Sequence, residues 1–263
     1  MPNRSVLPLV PLLLFALAGP AGAAAQDLLG RSDSLYAAHD LEGSLAAATA
    51  ALAADSTSNP AAWRVARAQV VLGILAEVRD DDWDGAERRF RAAIPPVAAA
   101  VARDSLDVDA LYWLAAPRGR LALRIGGLER ADMAESVWDL AHRVLVLDPG
   151  HAGAHNALGT LHHEIMAMPR LERFFAKVAL GDTPILTETR WEGAEEHHRK
   201  AVLAEPETIL YHYDLATTLL RRGRNDEAAE ELRAVTRLPA VHLPDPIWQD
   251  QARRALARLE DRR

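Results

Sequence analysis

The chain has 263 residues, a formal net charge of −7 at pH 7 and no cysteine. The acidic balance argues against nucleic acid as a partner, because nucleic-acid binding depends on basic patches. The lack of cysteine excludes disulfides and thiolate metal sites. A chain of this length can nevertheless bury a core large enough to fold without cross-links.

The first segment, MPNRSVLPLVPLLLFALAGPAGAAAQ, has the pattern of a secretory signal peptide. One basic residue precedes an apolar run over residues 6–18, and small residues follow up to Ala25. The alternative, an uncleaved membrane anchor, is disfavoured because the run is shorter than the ~20 residues that a spanning helix needs. We therefore predict a signal peptide over residues 1–25, a mature domain over residues 26–263, and export to the periplasm or the exterior.

The rest of the chain has the composition and the periodicity of α-helices. Alanine, leucine, arginine and glutamate dominate, and apolar residues recur three and four positions apart in segments such as WDLAHRVLVLDP and DEAAEELRAVTRLP. Pro149, Pro206 and Pro239 each follow such a segment. Proline ends a helix because it lacks the amide hydrogen and clashes with the preceding turn. The pattern predicts an all-α chain.

The helical segments pair in a repeat that is typical of tetratricopeptide proteins. The first helix of that repeat carries Trp-x2-Leu-Gly-x2-Tyr, and the second carries Ala-x3-Phe-x2-Ala-x4-Pro. The small residue after the leucine allows two antiparallel helices to approach closely, and Gly159 after Leu158 is such a residue. The matches predict five helical hairpins in order. First-helix matches begin at Trp63, Leu111, His155 and His212, and second-helix matches begin at Ser44, Val137, Ala194 and Ala228.

The repeat is interrupted at about residues 165–190, between the two helices of one hairpin. This segment has a helical periodicity of its own, with Gly181 as its predicted C-cap. Thr189 and Glu192 form a predicted capping box that opens the next helix. We expect an ordered insertion whose apolar side chains cover the hairpin that it interrupts, and the alternative is an exposed surface for a partner. The side chains concerned are Met166, Met168, Phe174 and Phe175.

The chain resembles the regulator of microtubule dynamics family of tetratricopeptide proteins, which includes secreted bacterial members. The resemblance extends from about Leu28 to Leu259, and it is carried by LGTLHHEIMAMPRLERFFAKVALGD, GAEEHHRKAVLAEPE, LATTLLRRGRNDEAAEELRAVTRLP and a last helix after LPDPIWQDQ. It implies a helical-hairpin solenoid, an interaction role without a catalytic constellation, and pairing of Glu164 with Arg173. The name of the family does not identify the partner, because an exported protein would not meet tubulin.

The stretch LGTLHHEIM places His162, His163 and Glu164 side by side. A zinc-protease helix needs His-Glu-x-x-His, and a zinc deaminase needs cysteine ligands, so neither motif is present. Gly-x-Ser-x-Gly and glycine-rich phosphate loops are also absent from the sequence. We therefore predict a protein that is not an enzyme and that has no cofactor.

Other histidines leave a looser metal site open. His155 and His162 share one helical face, and His155, His198 and His212 occupy repeat positions that normally hold large core side chains. We interpret these imidazoles as substitutes for aromatic core residues, hydrogen-bonded to the backbone or to Glu164. The alternative is metal binding, which periodicity alone does not exclude.

Hairpins that contact only their neighbours stack into a superhelix with a concave surface. The fold class predicted here is an all-α, tetratricopeptide-like solenoid with an inserted helix and a C-terminal capping helix. We predict an exported, non-enzymatic scaffold that binds a protein or peptide segment on the concave face, without a metal site. The alternative is a periplasmic small-ligand or metal-binding accessory protein, of the kind that serves a transport system. The predicted binding residues are Arg64, Tyr112, Asn156, Thr160, His163, Tyr213 and Thr217.

Overall fold

The computed structural model describes residues 20–261, and thirteen α-helices and no β-strand lie within them. The predicted all-α fold class is therefore confirmed. Helices α1 to α6 are Pro20–Ala37, Leu41–Ala54, Asn59–Val78, Trp83–Arg103, Val108–Ala122 and Gly127–Leu147. Helices α7 to α13 are Ala152–Ala167, Arg170–Leu180, Pro184–Thr187, Trp191–Ala204, Ile209–Arg221, Asn225–Arg237 and Asp245–Glu260.

The helices form hairpins that stack into a solenoid, as predicted. The hairpins are α1–α2, α3–α4, α5–α6, α7–α10 and α11–α12. Their first helices contact one another in chain order and form an inner row, while α2, α4, α6, α10 and α12 form an outer row. Every repeat match found in the sequence lies on the expected helix. The main apolar core runs through the stack from α3 to α7.

Short polar turns start the helices. The side chains of Asp40, Ser58, Asp82, Asp107 and His151 each accept a hydrogen bond from the amide three residues later. These caps satisfy amides that the first helical turn leaves without an intrahelical partner. The prolines predicted to end helices follow α6, α10 and α12, as expected.

Glycines at the helix crossings admit a large side chain from the neighbouring helix. A methyl group on Gly73 of α3 would lie 2.5 Å from the ring of Phe90 in α4. A methyl group on Gly153 of α7 would likewise lie 2.5 Å from the ring of Tyr112 in α5. Such contacts are shorter than packed carbon atoms allow, so these crossings need a residue without a side chain.

The insertion between α7 and α10 contains α8 and α9. α8 ends at Leu180, and Gly181 follows it with a φ of 78°, the left-handed conformation that a C-cap glycine supplies. The predicted capping box is wrong, because the N-cap residue of α10 is Arg190, and Thr189 Oγ1 donates to Ile185 O and accepts no hydrogen bond from an amide of α10.

A side chain from another helix caps α10 instead. The amide of Arg190, directly before α10, donates to His162 Nδ1 of α7 at 3.0 Å. This hydrogen bond satisfies an amide that the first turn of α10 leaves free. The two helices of the interrupted hairpin are therefore joined at the point where the insertion returns to it.

The C-terminal helix closes the superhelix. α13 packs against α11 and α12, and its Trp248 belongs to an apolar cluster into which Ile74 and Val78 of α3 also pack. The turn after α1 reaches the loop before α13, since His39 Nε2 and Val241 O lie 2.9 Å apart. The N-terminal and C-terminal parts of the array are thus in contact.

The predicted signal peptide lies outside the described residues up to residue 19, and residues 20–25 begin α1. Among the described side chains of α1, Leu28 and Leu29 join an apolar cluster, and both follow the predicted cleavage position. In the described part of the chain, no helix is long and apolar enough to span a bilayer.

Candidate ligand-binding cavity

A cavity of about 340 Å³ lies inside the superhelix. Helices α3, α5, α6, α7, α11 and α13 contribute to its wall. Most of the wall is apolar, and it includes the aromatic rings of Tyr112, Trp113 and Trp248. The volume falls at the lower end of the ~300–1,000 Å³ that small-molecule pockets span. The concave side of this solenoid is therefore a partly enclosed cavity.

Asp214 and Asn156 form a polar part of the wall where α11 meets α7. Asn156 Nδ2 donates to Asp214 Oδ2 at 2.9 Å. Burial raises the pKa of the Asp214 carboxyl to about 6, against the lowering effects of the hydrogen bond from Asn156 and of the charge on Arg120. Asn156 Oδ1 is buried and has no hydrogen-bond partner. The cavity thus presents a desolvated carboxyl group, whereas Asn156 Oδ1 has almost no accessible surface.

Glu164 brings a second carboxyl group to the wall. Burial raises its pKa, and the charges of Arg130 and Arg221 act in the opposite direction. The predicted pairing of Glu164 with Arg173 is wrong: no ion pair between described residues joins them, and Arg173 Nη1 donates to Met166 Sδ at 3.4 Å. The described histidines do not hydrogen-bond to the Glu164 carboxylate either.

Two guanidinium groups also belong to the wall, those of Arg120 and Arg130. Arg120 is already engaged, because its guanidinium forms an ion pair with Glu77 of α3. Arg130 lies near Glu164 and lowers the pKa of that carboxyl. Neither arginine forms an ion pair with Asp214 within the described chain.

Three of the predicted binding residues, Tyr112, Asn156 and Thr160, line the cavity. The ring of Tyr112 packs edge-on against Trp113, with ring centres 5.1 Å apart, and lies 4.7 Å from the ring of His151. Burial raises the pKa of the Tyr112 phenol to about 12, so the hydroxyl stays neutral. The structure brings these three residues together in one wall, and their role in binding stays a prediction.

The other predicted residues make contacts within the fold. Arg64 pairs with Asp33 of α1 through two hydrogen bonds of 2.9 and 2.7 Å. The Tyr213 ring packs against Trp248 at 5.4 Å between centres, and Thr217 Oγ1 donates to the backbone oxygen of Asp214 at 2.8 Å. These residues lie outside the wall of the cavity.

His163 lies at the junction of α7, α10 and α11, also outside the cavity wall. Its Nδ1 is 2.9 Å from Thr218 Oγ1, and His198 Nδ1 is 3.0 Å from the same hydroxyl. The ring of His163 stands edge-on to Trp191. A single hydroxyl donates only one hydrogen bond, so at least one of the two imidazoles donates to Thr218 Oγ1. Burial lowers the pKa of His163 to about 4.

Two of the three histidines predicted at core positions, His155 and His212, bond to the backbone as the sequence interpretation proposed, whereas His198 bonds to Thr218 Oγ1 instead. His155 and His212 are both buried. His155 Nε2 lies 3.1 Å from Pro149 O, and His212 Nε2 lies 2.9 Å from Pro206 O, so equivalent positions in two repeats use equivalent carbonyls. His212 Nδ1 also pairs with Glu231 at 2.6 Å, and this bond raises the pKa of His212.

Helices α7 and α10 each place an imidazole over a glycine of the other. A methyl group on Gly159 of α7 would lie 2.6 Å from His198 Nε2, and one on Gly193 of α10 would lie 2.6 Å from His162 Cε1. Burial lowers the pKa of His162 to about 4 and that of His198 to about 3. Both rings are therefore neutral at pH 7, and they pack as core side chains.

No group of three or more potential metal ligands is arranged around a common point in residues 20–261. The closest pair of imidazole nitrogens, His155 Nδ1 and His197 Nδ1, is 2.9 Å apart, the distance of a direct hydrogen bond. Two nitrogens bound to one zinc ion, each ~2.0–2.1 Å from the metal in tetrahedral geometry, lie farther apart than this. The geometry of this pair is that of a hydrogen bond.

The insertion exposes an apolar stripe. Leu171, Phe174 and Val178 of α8 are 65%, 60% and 67% exposed, respectively. Their spacing of three and four residues places them on one face of the helix. The expectation that the insertion covers its hairpin is therefore wrong for Phe174.

Sequence analysis does not identify Asp214, the carboxyl group that carries the polar part of the cavity. The available signal is its place in LYHYDLATT, one position from the buried Leu215 on a first helix. This pattern does not distinguish Asp214 from Asp139, which lies between two buried residues and is exposed.

The stacked hairpins, with an inner row of helices that encloses a cavity, define a tetratricopeptide solenoid protein. A comparison with sequence families finds a match to "Regulator of microtubule dynamics protein 1-3" over residues 28–260. The chain belongs to this family. No curated protein matches the chain in sequence.

The fold is also similar to those of solved structures. The tetratricopeptide protein TTC0263 of Thermus thermophilus has a TM-score of 0.59 at 19% identity, over 89% of this chain and 100% of that chain. PilF of Pseudomonas aeruginosa has a TM-score of 0.48 at 12% identity, over 93% and 92% of the two chains. MamA of Desulfovibrio magneticus RS-1 has a TM-score of 0.46 at 17% identity, over 84% and 96%. The similarity to TTC0263 shows the tetratricopeptide fold.

Proposed function

We propose that the protein is an exported, non-enzymatic scaffold that binds a segment of a protein or peptide partner, with a side chain of that segment in the central cavity. The observation that carries the proposal is the Asp214 carboxyl group in the cavity wall, which accepts one side-chain hydrogen bond within the described chain, from Asn156. Taking a carboxylate out of water is costly unless it is paired or hydrogen-bonded. A donor from a partner would offset this cost.

The chemistry of the wall suits binding. The wall contains carboxyl groups, an amide, aromatic rings and the Thr160 hydroxyl, and no serine, histidine or lysine is among the residues that line it. Its volume of about 340 Å³ suits one large side chain rather than an extended strand. A partner segment would therefore lie across the opening and insert one residue.

A variant that fills the cavity tests this function. Ala157 lines the cavity on α7, and Ala157→Phe places a ring inside it. The matched control is Ala102→Phe on the exposed side of α4, in the outer row. We expect partner capture from native envelope extract, followed by calorimetry with the purified partner, to fail for Ala157→Phe and to persist for Ala102→Phe.

A second control tests the outer row of helices, on the convex surface of the solenoid. Glu230, Arg233 and Arg237 are exposed on α12, and their joint replacement by alanine should leave capture intact. If this triple variant loses the partner while Ala157→Phe retains it, the cavity is not the binding site. The exposed stripe of α8 is then the next surface to test.

Export is the second part of the proposal, and the N-terminal apolar run supports it. Mass spectrometry of the protein from the periplasm or medium should find Gln26, or a residue close to it, at the N-terminus. Intact Met1 in the membrane fraction would instead indicate an anchor. Cleavage at this position would leave Leu28 and Leu29, and hence their core contacts, in the mature chain.

The alternative function is that of a small-ligand accessory protein, and the partial enclosure of the cavity favours it. A cavity of about 340 Å³ lies within the range of small-molecule pockets, whereas peptide grooves are longer and more open. Native mass spectrometry of protein purified from its own host distinguishes the two functions. A bound species of a few hundred daltons, present in the wild type and absent from Ala157→Phe, would favour the accessory protein.

A further inference from the structure

The charged groups of the cavity wall balance one another. Among the described residues that line it, Asp214 and Glu164 contribute two carboxyl groups, and Arg120 and Arg130 contribute two guanidinium groups. The charge of Arg120 lowers the pKa of the Asp214 carboxyl, and that of Arg130 lowers the pKa of the Glu164 carboxyl. A charged ligand group loses its hydration when it enters such a space, and a balanced wall offers no spare counter-charge in return. The wall therefore favours an uncharged group.

Glu77 leaves this balance in place, although it forms an ion pair with Arg120. Its other carboxylate oxygen lies 3.8 Å from Arg124 Nε, so one carboxylate is shared between two guanidinium groups. These three groups together carry one net positive charge, which faces the one negative charge of Asp214.

One oxygen of the Asp214 carboxyl group is open to a ligand. Oδ2 accepts the hydrogen bond from Asn156 Nδ2, and within the described chain Oδ1 accepts none. Oδ1 is nevertheless not one of the described side-chain atoms that are both buried and without a partner, so it keeps accessible surface. A carboxylate only accepts hydrogen bonds. The complementary group at this point is therefore a donor.

The remainder of the wall is aromatic and aliphatic. Tyr112, Trp113 and Trp248 contribute rings from three different helices, and alanine, valine, leucine and isoleucine side chains complete the wall. Aromatic rings attract one another in edge-on and offset arrangements beyond the effect of buried area alone. A volume of about 340 Å³ admits one large ring system. The wall thus favours an aromatic group.

An indole meets these requirements together. It carries no charge, and its N–H group donates one hydrogen bond without bringing an acceptor that needs a partner of its own. A lysine or arginine side chain would add a charge to the balanced wall. A phenylalanine ring would leave Asp214 Oδ1 without a donor. Tyrosine has a donor, but its oxygen is also an acceptor that loses water on entry.

We propose that the cavity binds the indole side chain of a tryptophan residue in a partner segment, with the indole N–H donating to Asp214 Oδ1 and the ring among Tyr112, Trp113 and Trp248. The choice of side chain rests on the proposed function and names the group that enters the cavity. Tryptophan is also among the residues that most often carry the binding energy at the centre of protein interfaces.

Isothermal titration calorimetry on the full mature chain tests the proposal with matched peptides. Acetyl-Ala-Ala-Trp-Ala-Ala-amide is compared with the same peptide carrying benzothienylalanine, which has the same two fused rings with sulfur in place of the N–H group. A third peptide carries lysine at the central position. We expect the tryptophan peptide to bind at least about tenfold more tightly than either of the others, because a hydrogen bond to a charged group is lost in the first and a charge is added in the second.

Substitutions locate the effect at the proposed atom. Asp214→Asn keeps the shape of the side chain and removes the charge, and it should lower the affinity for the tryptophan peptide to that for the benzothienylalanine peptide. The affinity for the benzothienylalanine peptide should stay the same in this variant, because no hydrogen bond is at stake. Asp139→Asn, on the exposed side of α6, removes a carboxylate elsewhere and should leave the affinities for all three peptides unchanged.

Four results would overturn the proposal. They are equal affinity for the tryptophan and benzothienylalanine peptides, binding of the lysine peptide at least as tight as that of the tryptophan peptide, no binding of the tryptophan peptide, and unchanged affinity for it in Asp214→Asn. The first three use the wild-type protein, so the test stands even if a variant does not fold.

Two further measurements separate this proposal from the proposed function. Free 3-methylindole that binds more tightly than the tryptophan peptide would show that a small aromatic molecule, and not a partner segment, occupies the cavity. A partner whose capture is lost in Ala157→Phe but is not displaced by the tryptophan peptide would uphold the scaffold function and refute the indole.

Discussion

The packing of α7 against α10 predicts how Gly159→Ala changes the free energy of unfolding. Replacing an interior glycine of a helix by alanine normally stabilises a protein by up to about 1 kcal/mol, because alanine has the higher helix propensity. Here the new methyl group would lie 2.6 Å from His198 Nε2. The ring cannot rotate away without losing its 3.0 Å hydrogen bond to Thr218. Overpacking of this kind costs about 1–3 kcal/mol, so Gly159→Ala should lower the free energy of unfolding by about 1 kcal/mol net.

A double-mutant cycle isolates the cause. His198→Ala removes the ring, and Gly159→Ala in that background should stabilise the protein by up to about 1 kcal/mol, which reverses the sign of its effect. The coupling energy should therefore be about 2 kcal/mol, measured by urea denaturation. Gly119→Ala in α5 is the matched control, because its methyl group would meet the nearest side chain at an ordinary 3.8 Å, and it should be stabilising. If Gly159→Ala stabilises the wild type as Gly119→Ala does, the packing argument is refuted.

The remaining predictions concern buried titratable groups. The folded-state pKa values of His162 and His198, about 4 and 3, lie below the ordinary value near 6.5, so the unfolded chain takes up protons first as the pH falls. Stability should decrease from pH 7 to pH 5, by up to about 2 kcal/mol for each ring, and unchanged urea midpoints would contradict this. Asp214 acts in the opposite direction, because its raised pKa lets the folded state take up a proton near pH 6. Asp214→Asn should therefore stabilise the protein at pH 7, by about 1–3 kcal/mol, and a loss of stability would show that the carboxylate is structural. His198→Phe should destabilise, since the larger ring meets Gly159 and gives up the bond to Thr218, and equal melting temperatures would refute this.

The sequence predicts the hairpins well because each repeat position depends on neighbours within one or two turns. Leu158 and Gly159 illustrate this, since a large residue followed by a residue without a side chain is a local pattern with a local packing consequence. The C-cap at Gly181 is predictable for the same reason, because the left-handed conformation is a property of a single residue.

Features that depend on contacts between distant segments are not predictable in this way. The N-terminus of α10 is capped by His162, a residue 28 positions from Arg190, and not by the local pair that the capping rule favours. The cavity depends on the contact between α13 and α3. The sequence of α13 alone does not predict that Trp248 packs in the same apolar cluster as residues of α3. Asp214 becomes part of a binding wall only once that closure has occurred.

The closure also changes how the chain can fold. An open solenoid gains its stability repeat by repeat, so its terminal hairpins can fray independently. Here His39 and Val241 meet across 202 residues of chain, and contacts of such long sequence separation raise the contact order and slow folding. Each terminal segment packs against the other, so unfolding of one removes the surface that the other contacts. The two ends should therefore unfold as one cooperative unit. No further hairpin can pack after α12 unless α13 is displaced. The closed array therefore has a fixed circumference, and the number of repeats sets the size of the enclosed space.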